Sequence, residues 1–582
     1  MKQYLKFLII LYVALVLAKI LMSSFIPMTN AFSDDYQYLK VARSFFFNQN
    51  FQVHGVNVYQ FPPLYPILIS ISYIFKNSSY VYFFIKLINA LLSSLTIFPA
   101  YFMSKEILSE KNSKIATLIV ALLPFNFSYT SYILSENLFY FIFLTSIYFL
   151  YKFYLYKNNK DMILTGIFIG LALLTRIQGV ILLGVILFLF LLSLIKKEPN
   201  YKLLIIIPIS LLVFSPWLIR NLVAFGFSTN SIIDQRYASE AVNIASKNSI
   251  LNSFYPYIVW FITYFGALII SSLLIFPLLL TYGKVKDKKW VKLREISIIT
   301  IFISLIIAAN HHIRGTKYIY NLNEWIFVSG KLIGRYVDFV VPLIIILGFA
   351  SLLNHSFNNK KDKRWRFITI TTGIVLIISA FHFLQRSLFL PNNPSLSWIG
   401  LIKRVIDYIF YSKDIFSLND SSGLIFTWAS FITILIIFIS ILIYLKKILS
   451  NLRFSKILSV IFIFLLAIIL LNNAVAYYGA KNFYDSPQIR LSLWLNNYDK
   501  DKISNILIDQ RYLGDIKKDN QTMLYGGIDE STYTIIGYFL NDNLRIADVK
   551  NINEVNYIIS KDPNLNFEII KNEDEIYIYK IN

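Results

Sequence analysis

Two adjacent carboxylates, Asp34 and Asp35, stand in the run Ser33-Asp34-Asp35-Tyr36-Gln37-Tyr38, just beyond the first long apolar segment. A carboxylate so placed can take the proton of an attacking hydroxyl, provided other groups stabilise the charge that departs. Cations suited to that second task recur downstream. They are Lys86 in Lys86-Leu87, Arg176 closing Gly170-Leu171-Ala172-Leu173-Leu174-Thr175-Arg176, Arg220 in Pro216-Trp217-Leu218-Ile219-Arg220-Asn221, and Arg335 in Gly334-Arg335-Tyr336. Each also has a plainer reading. Ser33 or Asp34 is a good helix N-cap, and the acid after it complements the helix dipole. Arg176 and Arg220 suit snorkelling to a lipid headgroup, and Pro63 and Pro216 suit the punctuation of spans.

The elements that must position these residues are membrane helices. Of 582 residues, 56% are hydrophobic, and long apolar blocks recur from end to end, each near the ~20 residues that cross a bilayer. The net charge of +22 sits in short loops between these blocks, which is the positive-inside pattern and not a nucleic-acid-binding face. Lys105–Lys114, Lys152–Lys160, Lys196–Lys202, Lys284–Arg294, Lys360–Arg366 and Lys446–Lys456 read as cytoplasmic. The segment Tyr4–Ile26 is too long for a signal-peptide core, so it reads as a retained span with Lys2 and Lys6 inside. Alternation then predicts about thirteen spans in a multi-pass cell-membrane protein, N-terminus cytoplasmic and C-terminus outside.

That alternation holds only if Pro62–Phe75, ~14 residues opening on Pro-Pro, does not cross. Tyr80–Met103 is then the second span. The long loops Asn30–Phe61, Leu222–Tyr255, His311–Arg335 and Gln385–Gly423 face outside, where function tends to reside. Residues 479–582 depart from the pattern. They hold 12 Lys/Arg against 16 Asp/Glu, net −4, which leaves +26 on the rest. Ser486–Asn497 has helical spacing, while Asn505–Asp509, Val555–Ser560, Phe567–Ile570 and Glu575–Ile581 read as short strands. The expected organisation is a transmembrane catalytic domain, 1–478, with its first outer loop at 27–79, and a small extracytoplasmic α/β domain, 479–582.

The chain has no cysteine, which excludes disulfides and thiol chemistry. No cofactor is called for. His311-His312 is the best candidate metal pair, yet adjacent histidines project differently and no fixed carboxylate spacing accompanies them. A transporter or lipid flippase is the alternative class. It would need polar residues deep in several spans and, usually, repeats. The charges here cluster at span ends, and no internal repeat is seen. A scaffold without activity is a third reading, opposed by the retained acids and outer cations.

The order of the motifs is more specific than any one of them. An acidic pair after the first span precedes Pro62-Pro63-Leu64-Tyr65-Pro66. Then come Ser135-Glu136-Asn137, the Leu174-Thr175-Arg176 element, and Pro216–Asn221 followed by Phe225-Gly226. Over roughly residues 1–345 this order resembles the GT-C superfamily of glycosyltransferases. The similarity is to the glycosyltransferase 39-like branch of protein O-mannosyltransferases and lipid A aminoarabinose transferases. The resemblance implies a GT-C type polytopic helical fold and a sugar donor carried on a polyprenyl phosphate of the dolichyl type. It implies a protein, glycan or lipid acceptor, surrounding membrane lipids, and no nucleic acid. It implies Asp34 as catalytic base with Asp35 beside it. The donor phosphate would fall to Lys86, Arg176, Arg220, Arg335 and Tyr336, with Glu136, Tyr65 and Asn221 supporting the site. Lys86 stands where the family has arginine and lacks its bidentate fork. Gln60 and Phe61 stand where the aminoarabinose branch has a donor-binding lysine.

Overall fold

The computed structural model describes residues 3–28, 33–53, 56–226, 250–273, 287–313, 332–354, 371–379, 392–411, 436, 454–499, 504–508, 536–540, 544–546 and 555–581, single positions 60, 76 and 575 apart. The described chain forms two compact units. One comprises Met1–Lys19, Ala90–Thr130 and Ser135–Ala474; the other comprises Ile20–Asn89, Ser131–Leu134 and Val475–Asn582.

Six described helices are long and apolar enough to cross a membrane. The chain opens with α1 (Gln3–Ser24), whose Leu17 and Leu21 are exposed to what would be lipid. Next come α2 (Ser33–Asn48), a two-stranded hairpin of β1 (Gln52–Val53) and β2 (Val56–Asn57), and the short α3 (Leu64–Ser70), which tightens into a 3-10 turn over Ile71–Ile74. The expected non-crossing segment is therefore about 11 residues of helix, roughly half of what ~30 Å of hydrocarbon requires. By contrast α4 (Ser78–Ser94) and α5 (Ile97–Ile107) run on as a single candidate span.

The interior of the first unit is built on α8 (Glu136–Tyr156), which follows α6 (Glu110–Ala121) and α7 (Pro124–Ser128). Its apolar and aromatic residues run all round the helix, so it is buried on nearly every face, as such a pattern demands. α9 (Asn159–Thr175) packs on α8 and on α11 (Lys202–Phe225), with α10 (Val180–Ile195) between them in sequence. Small residues let α9 and α11 approach. A Cβ added at Gly166 would lie 2.6 Å from Ile209, and one at Gly170 would lie 2.5 Å from Val213, the small-xxx-small packing of membrane helices.

The basic loops of this unit gather at one end of α8. Glu106 at the end of α5 pairs with Lys152 at 3.5 Å and Lys289 at 3.3 Å, and accepts from the Tyr156 hydroxyl at 3.1 Å. Glu295 pairs with Lys196 and with Lys292 at 3.4 Å. Four clusters expected on one membrane face thus meet. Lys360–Arg366 and most of Lys446–Lys456 lie outside the described residues, as do most of the loops Leu222–Tyr255 and His311–Arg335 and both ends of Gln385–Gly423.

In the second unit, helix Pro487–Tyr498 packs on a sheet of order β4-β3-β5-β7-β6. Its strands are β3 (Ser504–Ile508), β4 (Leu544–Ile546), β5 (Tyr557–Ser560), β6 (Glu568–Glu573) and β7 (Ile576–Lys580). β3 is parallel to β4 and β5, and β7 is antiparallel to β5 and β6. Ile506, Ile508, Ile559, Ile576 and Ile578 form the core with Leu491 and Leu495 of the helix. The helix and four of the strands fall where periodicity expects them; β4, three residues long, was not foreseen.

Candidate active site

In the second unit α2 begins at Ser33 and carries Asp34 and Asp35 in its first turn, where the dipole favours negative charge. Asp34 is half-buried, whereas Asp35 is fully buried. Tyrosines surround this helix start. Tyr38 meets the ring of Tyr65 edge-on at 5.2 Å. The Tyr65 hydroxyl donates to Asn89 Oδ1 at 2.9 Å, and Asn89 in turn donates to the Tyr132 carbonyl at 2.9 Å. Tyr82 donates to the Ser131 carbonyl at 2.6 Å and lies within electrostatic reach of Asp35, Tyr65, Tyr132 and Tyr538.

Lys86 belongs to the same unit. Its Nζ lies 4.5 Å from the Tyr82 ring centroid and donates to the carbonyls of Ser23 at 2.8 Å and Ile26 at 3.0 Å. Two of its three protons thus go to carbonyls at and just beyond the C-terminal end of α1, where helix geometry leaves carbonyls without intrahelical partners. This capping duty is a role that sequence alone did not indicate.

The first unit brings together a different set. Glu136 opens α8 and is fully buried. Arg176, at the extended residue that ends α9, binds Glu136 Oε1 and approaches Ser135 Oγ at 3.4 Å. Arg335 Nη1 reaches the same Glu136 oxygen at 3.3 Å. Tyr336 lies against both guanidiniums, at 5.8 Å from Arg176 and 5.7 Å from Arg335 to the ring centroid. Four of the candidate residues, from three widely separated motifs, therefore share one cluster. The cluster lies at the end of α8 opposite Glu106 and Lys152, and Glu136 and Lys152 are about 24 Å apart by helix rise.

The turn that aims Arg335 is itself held. Asn393 Oδ1 accepts from the Gly334 amide at 2.7 Å, Asn393 Nδ2 donates to the Leu332 carbonyl at 2.8 Å, and the Arg335 amide donates to the Asn392 carbonyl at 3.0 Å. A Cβ on residue 334 would sit 2.9 Å from Asn393 Oδ1, which is why glycine stands there. Below it, the Tyr140 hydroxyl approaches the Arg335 carbonyl at 3.4 Å, and Tyr129 approaches the buried Asp338 at 3.5 Å. Sequence reading missed Asn392, Asn393, Asp338, Tyr129 and Tyr140. The only cue was Pro391-Asn392-Asn393-Pro394, a turn signal like many others.

Arg220 makes different contacts. It donates to Asn221 Oδ1 at 2.9 Å and lies over Trp217 at 4.9 Å and Phe225 at 5.6 Å, all within the end of α11. Asn221 is buried. No three His, Asp or Glu side chains converge to hold a metal among the described residues. The side chains of His311 and His312 lie outside them.

Comparison with known proteins follows these outlines. Residues 60–219 match the family described as dolichyl-phosphate-mannose-protein mannosyltransferase. No curated protein matches. Among solved structures, the chain is similar to ArnT from Cupriavidus metallidurans bound to undecaprenyl phosphate, with a TM-score of 0.57 at 13% identity, covering 98% of this chain and 97% of that one. The apo state of the same ArnT gives 0.53 at 12% identity with the same coverage. At such low identity what is shared is the fold.

Proposed function

We propose that this chain, which has the GT-C fold of polytopic membrane glycosyltransferases, moves a sugar from a polyprenyl phosphate of the dolichyl type to a protein, glycan or lipid acceptor. The transfer takes place at the extracytoplasmic face of the cell membrane. About thirteen spans, a catalytic domain over 1–478 and an outer α/β domain over 479–582 complete this reading. The basic loops gathered around Glu106 and Glu295 support placing that end of α8 in the cytoplasm. The opposite end, with Glu136, Arg176 and Arg335, then faces outside.

The observation that carries the proposal is the pair of guanidiniums held on one buried carboxylate. Two arginines and a tyrosine, fixed in place before any substrate arrives, suit an anion with several oxygens, and phosphate is the anion they match best. In the reaction Asp34 takes the proton of the acceptor hydroxyl as its oxygen bonds to the anomeric carbon. The bond from that carbon to the phosphate oxygen breaks, and the polyprenyl phosphate leaves with the electron pair. Arg176, Arg335 and Tyr336 stabilise the charge that develops there, and Lys86 and Arg220 add to the cationic field. The partial exposure of Asp34 suits a base that must meet an incoming hydroxyl, and the buried Asp35 suits support. The decisive experiment supplies purified protein with a panel of radiolabelled polyprenyl-phosphate sugars, with and without Asp34→Asn. Transfer by the parent and none by the variant is the expected result; no transfer from any donor overturns the reading.

A further inference from the structure

We infer that the outer α/β domain is a positioning device for α2, the helix that carries Asp34 and Asp35. Tyr36 and Lys40 stand one turn apart on α2, hence on one face. Both are buried, and both meet the helical turn at residues 536–539 and the residue after it. The phenol tip of Tyr36 lies against Gly537: a Cβ there would fall 2.6 Å from the Tyr36 hydroxyl oxygen and 3.0 Å from two ring carbons. Lys40 Nζ donates to the Leu540 carbonyl at 3.0 Å. That turn is in its turn fastened to the domain's helix, where Ser492 donates to the Ile536 carbonyl at 3.1 Å and Asn496 to the Phe539 carbonyl at 2.6 Å. Ile536 and Leu540 enter the apolar core beneath the sheet. Tyr538, between the two contacts, lies within electrostatic reach of Tyr82, as Asp35 does.

A rigid core thus ends in a turn whose missing side chain is the seat of Tyr36 and whose last carbonyl holds Lys40. The first turn of α2 follows from that seating, because a helix moves as a unit. Gly537, Tyr36 and Lys40 are positioning residues. The consequence for transfer rests on reading Asp34 and Asp35 as the reacting carboxylates; the seating itself does not.

The test uses the full chain, which has no native cysteine. Gly537→Ala puts a methyl group where Tyr36 lies, and Lys40→Met keeps the stem while removing the donor. The expected result is a kcat lowered on the order of 10- to 100-fold in Gly537→Ala with donor KM little changed. Adding Tyr36→Phe, which removes the closest clashing atom, should recover part of the loss, as a general folding defect would not. A single cysteine at Gln37 reads the seating without activity: its maleimide labelling rate should rise in Gly537→Ala and in Lys40→Met and fall back in Gly537→Ala/Tyr36→Phe. Unchanged kcat and unchanged labelling in both single variants would overturn the inference. Absence of transfer in the parent, with labelling that still responds, would overturn the transferase reading and leave the seating standing.

Discussion

Arg335 Nη1 lies 3.3 Å from Glu136 Oε1, the oxygen that Arg176 also binds, although the first two residues are 199 positions apart in the chain. One buried carboxylate between two guanidiniums leaves the group with a net positive charge. A site of that sign attracts an anion, while the carboxylate keeps the two cations from pushing apart.

The first prediction follows from that balance. Glu136→Gln keeps the shape and removes the negative charge that the buried Arg335 and the half-buried Arg176 share. Breaking a buried pair in this way costs about 3–5 kcal/mol. The protein should lose thermal stability in detergent and express poorly. A melting temperature equal to that of the parent would show that Arg176 and Arg335 do not depend on Glu136.

Replacing the arginines separates anchors from ligands. If they only snorkel, lysine serves as well. If they hold phosphate, the directed fork is lost and a charge-assisted bond worth ~1.5–3 kcal/mol goes with it. Arg176→Lys and Arg335→Lys should each impair the donor-dependent constants by roughly ten- to a hundredfold. Arg220→Lys should do less, because the Arg220 guanidinium already donates to the neighbouring Asn221 Oδ1 and lies over Trp217. Donor KM and kcat, normalised to expression, decide the matter, and parental kinetics in all three would remove the clamp.

With Asp34 as the base, Asp34→Asn should abolish measurable transfer, a loss of at least about 10²-fold, while lipid-donor binding persists. Asp35→Asn should be milder. If both retain full activity, the two acids only complement the dipole of α2.

Topology can be tested at Ser109, the residue before α6, three positions from Glu106. A cysteine there should react with an impermeant maleimide only from the cytoplasmic side. Labelling from outside would invert α8 and place Glu136 on the wrong face.

Local patterns in the sequence determined the membrane class and the grouping of basic loops. They also located the short α3, helix Pro487–Tyr498 and four strands of the C-terminal sheet. Hydropathy, charge at span ends and side-chain alternation act within a few residues, so they can be read without knowing neighbours in space. They also marked Asp34, Asp35, Glu136, Arg176 and Arg335 as residues in unusual places, but not as partners. Only the tertiary structure decided that Arg176 and Arg335 share one oxygen of Glu136 and that Lys86 caps α1. The same holds for Asn393 beneath the Arg335 turn and for Gly537 as the seat of Tyr36. Each of these contacts joins segments far apart in the chain, as much as 500 positions for Lys40 and Leu540. A buried charge or amide takes whatever partner the packed helices bring within reach, and no periodicity along the chain records which one that will be.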